Sequence, residues 1–469
     1  MKKLIIVSFI FILFQCKGQQ DHRIDSVFNS FLSSDILSNA HVGVQLFDIS
    51  SNKNLINYNS EKLFVPASIQ KLFTTATALE ILSSNFSFKT TVFISGELDS
   101  LSGFINGNLL LKCSGDPSLE SAYFKNKSFI NELKDALKNK EIKGFTGSLI
   151  LIDYELDNYQ VNSNWLWGDI GNYYGSGVSN FSFRDNTIEL FFNSSASIGE
   201  LTTISKVIPE NINVDIENKV VSGKTFKDLA YGFGGPYNSK RIIKGEIPAG
   251  KKDFRVKISM HNPADFLINE LNQLIQFENN TLKGNLLDTL LVYKSPSILE
   301  LLTHVNHKSN NNYTEHILLA SFQIHDSVQN VELAALRMNE YWGNKLSLDE
   351  SFSTVDGCGL ARKNLISPEI MNKLLVYVLN QNIYSLNFLN SLPIAGKSGT
   401  LKYLGKGTVI ENNFIGKSGS MDGVRCYSGY FFKNNYKYPF TIMVNNFSCS
   451  SSQVKSEILR LMTGIYTNL

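Results

Sequence analysis

The chain has 469 residues, 43% of them hydrophobic and 18% charged, with ten prolines. This is ordinary globular usage; it excludes a disordered chain and predicts two or three domains. Forty-four basic and 42 acidic side chains leave a formal charge of +2, which gives no polycationic footprint for nucleic acid.

In chain order, residues 1–16 read as an export signal. Lys2 and Lys3 precede an apolar stretch from Leu4 to Phe14, too short to span a bilayer and typical of a signal-peptide core. Cys16 closes the stretch. Leu13 three residues earlier makes Cys16 a candidate lipidation site, although Gln15 departs from the small residue expected before it. The expected location is the periplasm or cell envelope, with any membrane connection made by a lipid anchor at Cys16.

Residues 21–85 are expected to begin a catalytic domain. An amphipathic segment from Ile24 to Leu37 leads into an alternating strand, Val42–Asp48, with a turn at Ser50–Lys53 and a return strand at Leu55–Tyr58. Pro66 then suits a helix start, and Leu72, Ala76, Leu79 and Leu82 share one helical face. This puts Ser68 in the first turn of a buried helix. Residues 86–295 read as inserted, mainly β domains of short runs such as Leu109–Leu111. Residues 296–469 return to the catalytic domain, with helical patterns at Ile298–Leu302, Tyr313–Phe322 and Val331–Trp342. Strands follow at Val424–Phe432 and Phe440–Asn446, then a final helix through Val454, Ile458 and Leu461.

The remaining cysteines, Cys113, Cys358, Cys426 and Cys449, are singletons and read as buried free thiols. His304 and His307 lack the companions of a metal site, so no cofactor is expected.

Chemistry can be carried by three clusters. Ser68-x-x-Lys71 places a hydroxyl and an amine on one helix face, where a lysine can activate a serine nucleophile. Ser309-Asn310-Asn311 supplies a second hydroxyl for proton relay and an amide, unless it is simply a helix cap. Lys417-Ser418-Gly419-Ser420 precedes a strand and would meet a carboxylate, its glycine letting substrate lie against the backbone. Lys397-Ser398-Gly399-Thr400 is its rival; it is followed by Leu-Lys-Tyr-Leu-Gly-Lys-Gly and reads as a turn, which favours Lys417. Neither is a phosphate loop, because Ser391 and Glu411 stand where that loop needs its first glycine.

These three motifs, in this order, resemble those of penicillin-binding proteins and serine β-lactamases. About 240 residues separate Ser68 from Ser309, which resembles the inserted domains of the D-alanyl-D-alanine carboxypeptidase/endopeptidase family, the class C low-molecular-mass penicillin-binding proteins. Phe64-Val-Pro-Ala-Ser68, Ser114-Gly-Asp-Pro-Ser-Leu119, Tyr173-Tyr-Gly-Ser-Gly-Val-Ser179, Asp356-Gly-Cys-Gly-Leu360 and Val444-Asn-Asn446 are similar to that family too. Cys358 stands where the family usually has serine, and Ser418 and Ser420 replace threonines.

The resemblance implies an α/β (α+β) penicillin-binding/serine β-lactamase-like transpeptidase domain, with an antiparallel sheet covered by helices. It implies Ser68 as nucleophile, Lys71 as base, and the N–H groups of Ser68 and Ser420 as oxyanion donors. Ser309 and Asn311 would assist proton transfer and positioning, and Lys417, Ser418, Gly419 and Ser420 would hold the substrate carboxylate. The implied partners are peptidoglycan stem peptides, with β-lactams as inhibitors. A β-lactamase or esterase on the same scaffold, or a catalytically silent cell-wall-binding lipoprotein, are the alternatives.

Overall fold

The computed structural model describes residues 22–152, 159–210, 212–280, 287–326, 328–348 and 352–469. The signal segment 1–16 and Cys16 lie outside the described residues. The chain divides into two units: one holds residues through Ser84, Leu302–Ser309 and Ala335–Leu469, the other Asn85–Leu301 and Asn310–Ala334.

The first unit is built on a five-stranded antiparallel sheet. Its order is Phe414–Met421, Val424–Lys433, Tyr436–Asn445, His41–Asp48, Lys53–Tyr58. Val42, Val44, Phe431, Phe440, Ile442 and Val444 bury one face of it against Ile24, Phe28 and Phe31 of helix 22–32. Val454, Ile458, Leu461 and Ile465 of helix Ser451–Asn468 complete that core. Ser450 starts the last helix with a reciprocal cap to Gln453. Helix Pro368–Leu379 packs on the two neighbouring strands Tyr436–Asn445 and His41–Asp48, capped by Ser367 with proline at its first position.

Helix Lys71–Ile81 is buried on all sides from Lys71 to Leu79, beyond the single apolar face of Leu72, Ala76 and Leu79. Its threonines are satisfied internally: Thr77 Oγ1 donates to the Phe73 carbonyl (2.8 Å), and Thr74 Oγ1 donates to the Gly357 carbonyl (2.8 Å). Ser68 does not sit in this helix, as the sequence suggested, but in the short 3₁₀ turn Ala67–Gln70 that precedes it. Ala67 has φ +47°, a left-handed conformation that stores backbone strain immediately before the serine.

The second unit carries a six-stranded sheet containing Lys89–Asp99 and Phe104–Cys113, and two three-stranded sheets. Val92, Ile94, Leu109 and Leu111 bury against Phe129 and Leu133 of helix Phe129–Asn139 and Leu267 and Leu271 of helix Pro263–Leu274. Residues 310–334 group with this unit and not with the expected catalytic segment 296–469. The reason is local bonding by helix Asn311–Asp326. Asn312 Nδ2 donates to the Gly177 carbonyl (2.8 Å), Tyr313 Oη to Asp185 (2.7 Å), and the Ser179 N–H to His316 Nε2 (3.1 Å). Among the described residues no two cysteines form a disulfide; Cys358 and Cys426 are buried, whereas Cys113 and Cys449 are only partly so. Among the described residues, no helix is long and apolar enough to cross a membrane.

Candidate active site

The segment before Ser68 is fixed from two sides. Phe64 bridges Ile366, and the Val65 N–H donates to Asn445 Oδ1 (2.8 Å) while Asn445 Nδ2 donates to the Val65 carbonyl (3.2 Å). The 3₁₀ turn then presents Ser68 one turn before Lys71. Lys71, with no exposed surface, donates from Nζ to Ser68 Oγ (3.0 Å) and to the Cys358 carbonyl (2.6 Å). The three-residue spacing therefore delivers the hydroxyl–amine contact anticipated from sequence.

Lys417 is also wholly buried, and its Nζ donates to Ser309 Oγ (2.9 Å) and to the Ser418 carbonyl (2.8 Å). Burial, reinforced by the positive charge of Lys71, pushes the Lys417 ammonium well below the usual lysine range. Lys397, the rival, is exposed on a turn. Ser309 does not cap the N-terminus of the following helix; it takes φ +56° between helices Ile298–Lys308 and Asn311–Asp326. Asn310 Oδ1 accepts the Tyr313 N–H (3.2 Å) instead, which leaves the Ser309 hydroxyl directed at the lysine.

Strand Phe414–Met421 is the edge of its sheet. The Ala395 N–H donates to the Phe414 carbonyl (2.9 Å) and the Gly416 N–H to the Pro393 carbonyl (3.1 Å), so residues 393–395 cover the outer edge up to Gly416. Backbone groups alternate in direction along a strand, so those of Ser418 and Ser420 point to the same outer edge. Among the described residues no main-chain partner covers them there.

Gly419 faces the serine turn. A Cβ at this position would lie 2.6 Å from the Pro66 carbonyl oxygen and 3.1 Å from the Ser68 nitrogen, so only glycine lets the strand approach this closely. Ser418 is half-buried and Ser420 exposed. The structure thus brings Ser68, Lys71, Ser309, Lys417 and Gly419 into one unit. Asn311 belongs to the second unit, where its Nδ2 donates to the Tyr174 carbonyl (2.9 Å).

Sequence reasoning assigned no role to Asn445, or to the Asp356–Leu360 turn that supplies the carbonyl held by Lys71. The density of Gly and Asp in that turn was the available signal.

The family model described as the D-Ala-D-Ala carboxypeptidase 3 (S13) family matches residues 25–469. The chain is 24% identical over 451 residues to D-alanyl-D-alanine carboxypeptidase DacB of Haemophilus influenzae, covering 91% of this chain and 90% of that protein. It is 22% identical over 445 residues to the D-alanyl-D-alanine carboxypeptidase of Actinomadura sp. strain R39, covering 90% and 80% respectively. The crystal structure of penicillin binding protein 4 (dacB) from Haemophilus influenzae shares the fold, with a TM-score of 0.77 at 22% identity over 94% of this chain and 98% of that one. A second structure of that protein, complexed with a β-lactam, has a TM-score of 0.73 at 21% identity, again over 94% and 98%.

Proposed function

This chain belongs to the D-Ala-D-Ala carboxypeptidase 3 (S13) family, and from that premise we propose that it hydrolyses D-alanyl-D-alanine-type bonds of peptidoglycan stem peptides through an acyl-enzyme on Ser68. The observation that carries the reading is the 3.0 Å contact between Ser68 Oγ and the buried Lys71 Nζ. Lys71 takes the hydroxyl proton as the oxygen attacks the carbonyl carbon, which requires the amine to be unprotonated at that moment.

The peptide adds as a further strand along the open edge at Ser418 and Ser420. The N–H groups of Ser68 and Ser420 receive the oxyanion. Ser309, hydrogen-bonded to Lys417, hands its proton to the leaving amine and takes up the one that Lys71 removed from Ser68, and the C–N bond breaks. Lys417, Ser418, Gly419 and Ser420 form the seat of the terminal carboxylate, and Asn311 positions the acyl portion. Water then attacks the ester and regenerates Ser68. A β-lactam follows the same path to the ester and stalls there; the β-lactam complex of the Haemophilus influenzae protein supports that use of the fold.

Release of D-alanine from a soluble peptide ending in D-Ala-D-Ala tests the reading. The wild type is expected to release it and Ser68→Ala to release none; equal release by both, or none by either, would refute it. Cys16 is the proposed lipid attachment point. Cys16→Ser should move the protein from the detergent phase to the aqueous phase on partitioning of cell extracts, and an unchanged partition would remove the anchor.

A further inference from the structure

We propose that Asp356 is a positioning residue for this reaction: its carboxylate shapes the turn from which the main-chain carbonyl of Cys358 holds Lys71. The proposal rests on the reading of Lys71 as the base.

Asp356 is fully buried. Its Oδ1 accepts the Gly359 N–H (2.7 Å) and Asn364 Nδ2 (2.9 Å), with Gln70 Nε2 at 3.4 Å, and its Oδ2 accepts the Ala361 N–H (2.6 Å). The carboxylate therefore gathers donors from both sides of the turn, which a neutral side chain of the same shape cannot do with both oxygens. Asn364 Oδ1 accepts the Val355 N–H (2.7 Å) and closes the entry to the same turn.

The turn is also tied to the nucleophile helix. Gln70 Nε2 donates to the Asp356 carbonyl, and Thr74 Oγ1 donates to the Gly357 carbonyl (2.8 Å). Gly359, at φ +81°, sits so close that a Cβ would lie 2.0 Å from the Ala67 carbonyl oxygen. These contacts direct the intervening Cys358 carbonyl at Lys71 Nζ, 2.6 Å away.

The consequence for chemistry is orientation. A lysine side chain is long and flexible, so its amine must be held to stay in register with the Ser68 hydroxyl. The Cys358 carbonyl is one such fixed point, and it keeps Nζ in line to take the Ser68 proton. Misplacing a reacting group by about 1 Å costs roughly 100-fold in rate. The acceptor is a main-chain oxygen, so the identity of the Cys358 side chain is irrelevant to this role.

The test is the acylation rate constant at saturating penicillin, measured per labelled site in the full chain, together with the dissociation constant of the initial complex and the final labelled fraction. Asp356→Asn is expected to lower the rate constant about 100-fold with little change in the dissociation constant. If Asp356→Asn does not fold, Asn364→Ala replaces it, with a loss of about tenfold expected because the carboxylate keeps its two N–H donors. A rate constant per labelled site unchanged in Asp356→Asn or Asn364→Ala, with only the labelled fraction or melting temperature reduced, would overturn the proposal. A wild type that is not acylated on Ser68 would instead overturn the reading of Lys71 and, with it, this role.

Discussion

Replacing Gly419 by alanine probes the close approach of the edge strand to the serine turn. The added methyl would stand 2.6 Å from the Pro66 carbonyl oxygen and 3.1 Å from the nitrogens of Ser68 and Ile69. All three atoms are backbone, so no side chain can swing aside to relieve the overlap. The first contact falls about 0.8 Å short of ordinary van der Waals separation, so either the edge strand or the serine turn must move by a comparable amount. Overpacking of this kind costs roughly 1–3 kcal/mol of stability. The same displacement separates the Ser68 N–H from that of Ser420, the two donors assigned to the oxyanion, and a shift near 1 Å is worth about 100-fold in rate. Acylation by a fluorescent penicillin, timed alongside a thermal melt, reads both effects. Gly419→Ala should melt lower and acylate about 100-fold more slowly. Acylation at the wild-type rate would refute the placement of this strand against the nucleophile.

Lys417→Ala should reduce acylation at least tenfold, because the bond to Ser309 is lost, whereas Lys397→Ala, on an exposed turn, should leave it unchanged; the same timed labelling distinguishes them. Asp116 in the second unit is buried, which pushes its carboxyl up to about 6, and its Oδ2 has no hydrogen-bond partner among the described residues. A raised folded-state value stabilises most below the unfolded value near 4 and loses that contribution as pH rises through about 6. Stability should therefore fall by on the order of 2–3 kcal/mol between those limits, and melts of Asp116→Asn against pH should be flatter than wild type over that range.

The parts of the site legible in sequence were those set by local geometry. Ser68 and Lys71 are one helical turn apart, so their contact follows from spacing alone, and the choice of Lys417 over Lys397 followed from the strand behind it. The 3₁₀ entry was not legible, because the left-handed Ala67 is imposed by what packs around it and not by its own preference. The pairing of Ser309 with Lys417 spans 108 residues and that of Asn445 with Val65 spans 380. No periodicity encodes such contacts; the resemblance to a family gathered Ser309 and Lys417 into one site without pairing them. The helix that follows Ser309 was legible from Tyr313 onward, but its allegiance to the second unit depends on hydrogen bonds to residues 174–185, which its own pattern does not carry. The Asp356–Leu360 stretch was visible only through its similarity to the family. That its carbonyl meets Lys71 depends on the packing of the turn against Ala67 and Gln70.

The most direct test of the acyl-enzyme on Ser68 is peptide mapping by mass spectrometry after exposure of the full chain to penicillin. A single adduct is predicted on the peptide containing Ser68, with no adduct in Ser68→Ala. An adduct on any other residue, or equal modification of the Ser68→Ala protein, would contradict it.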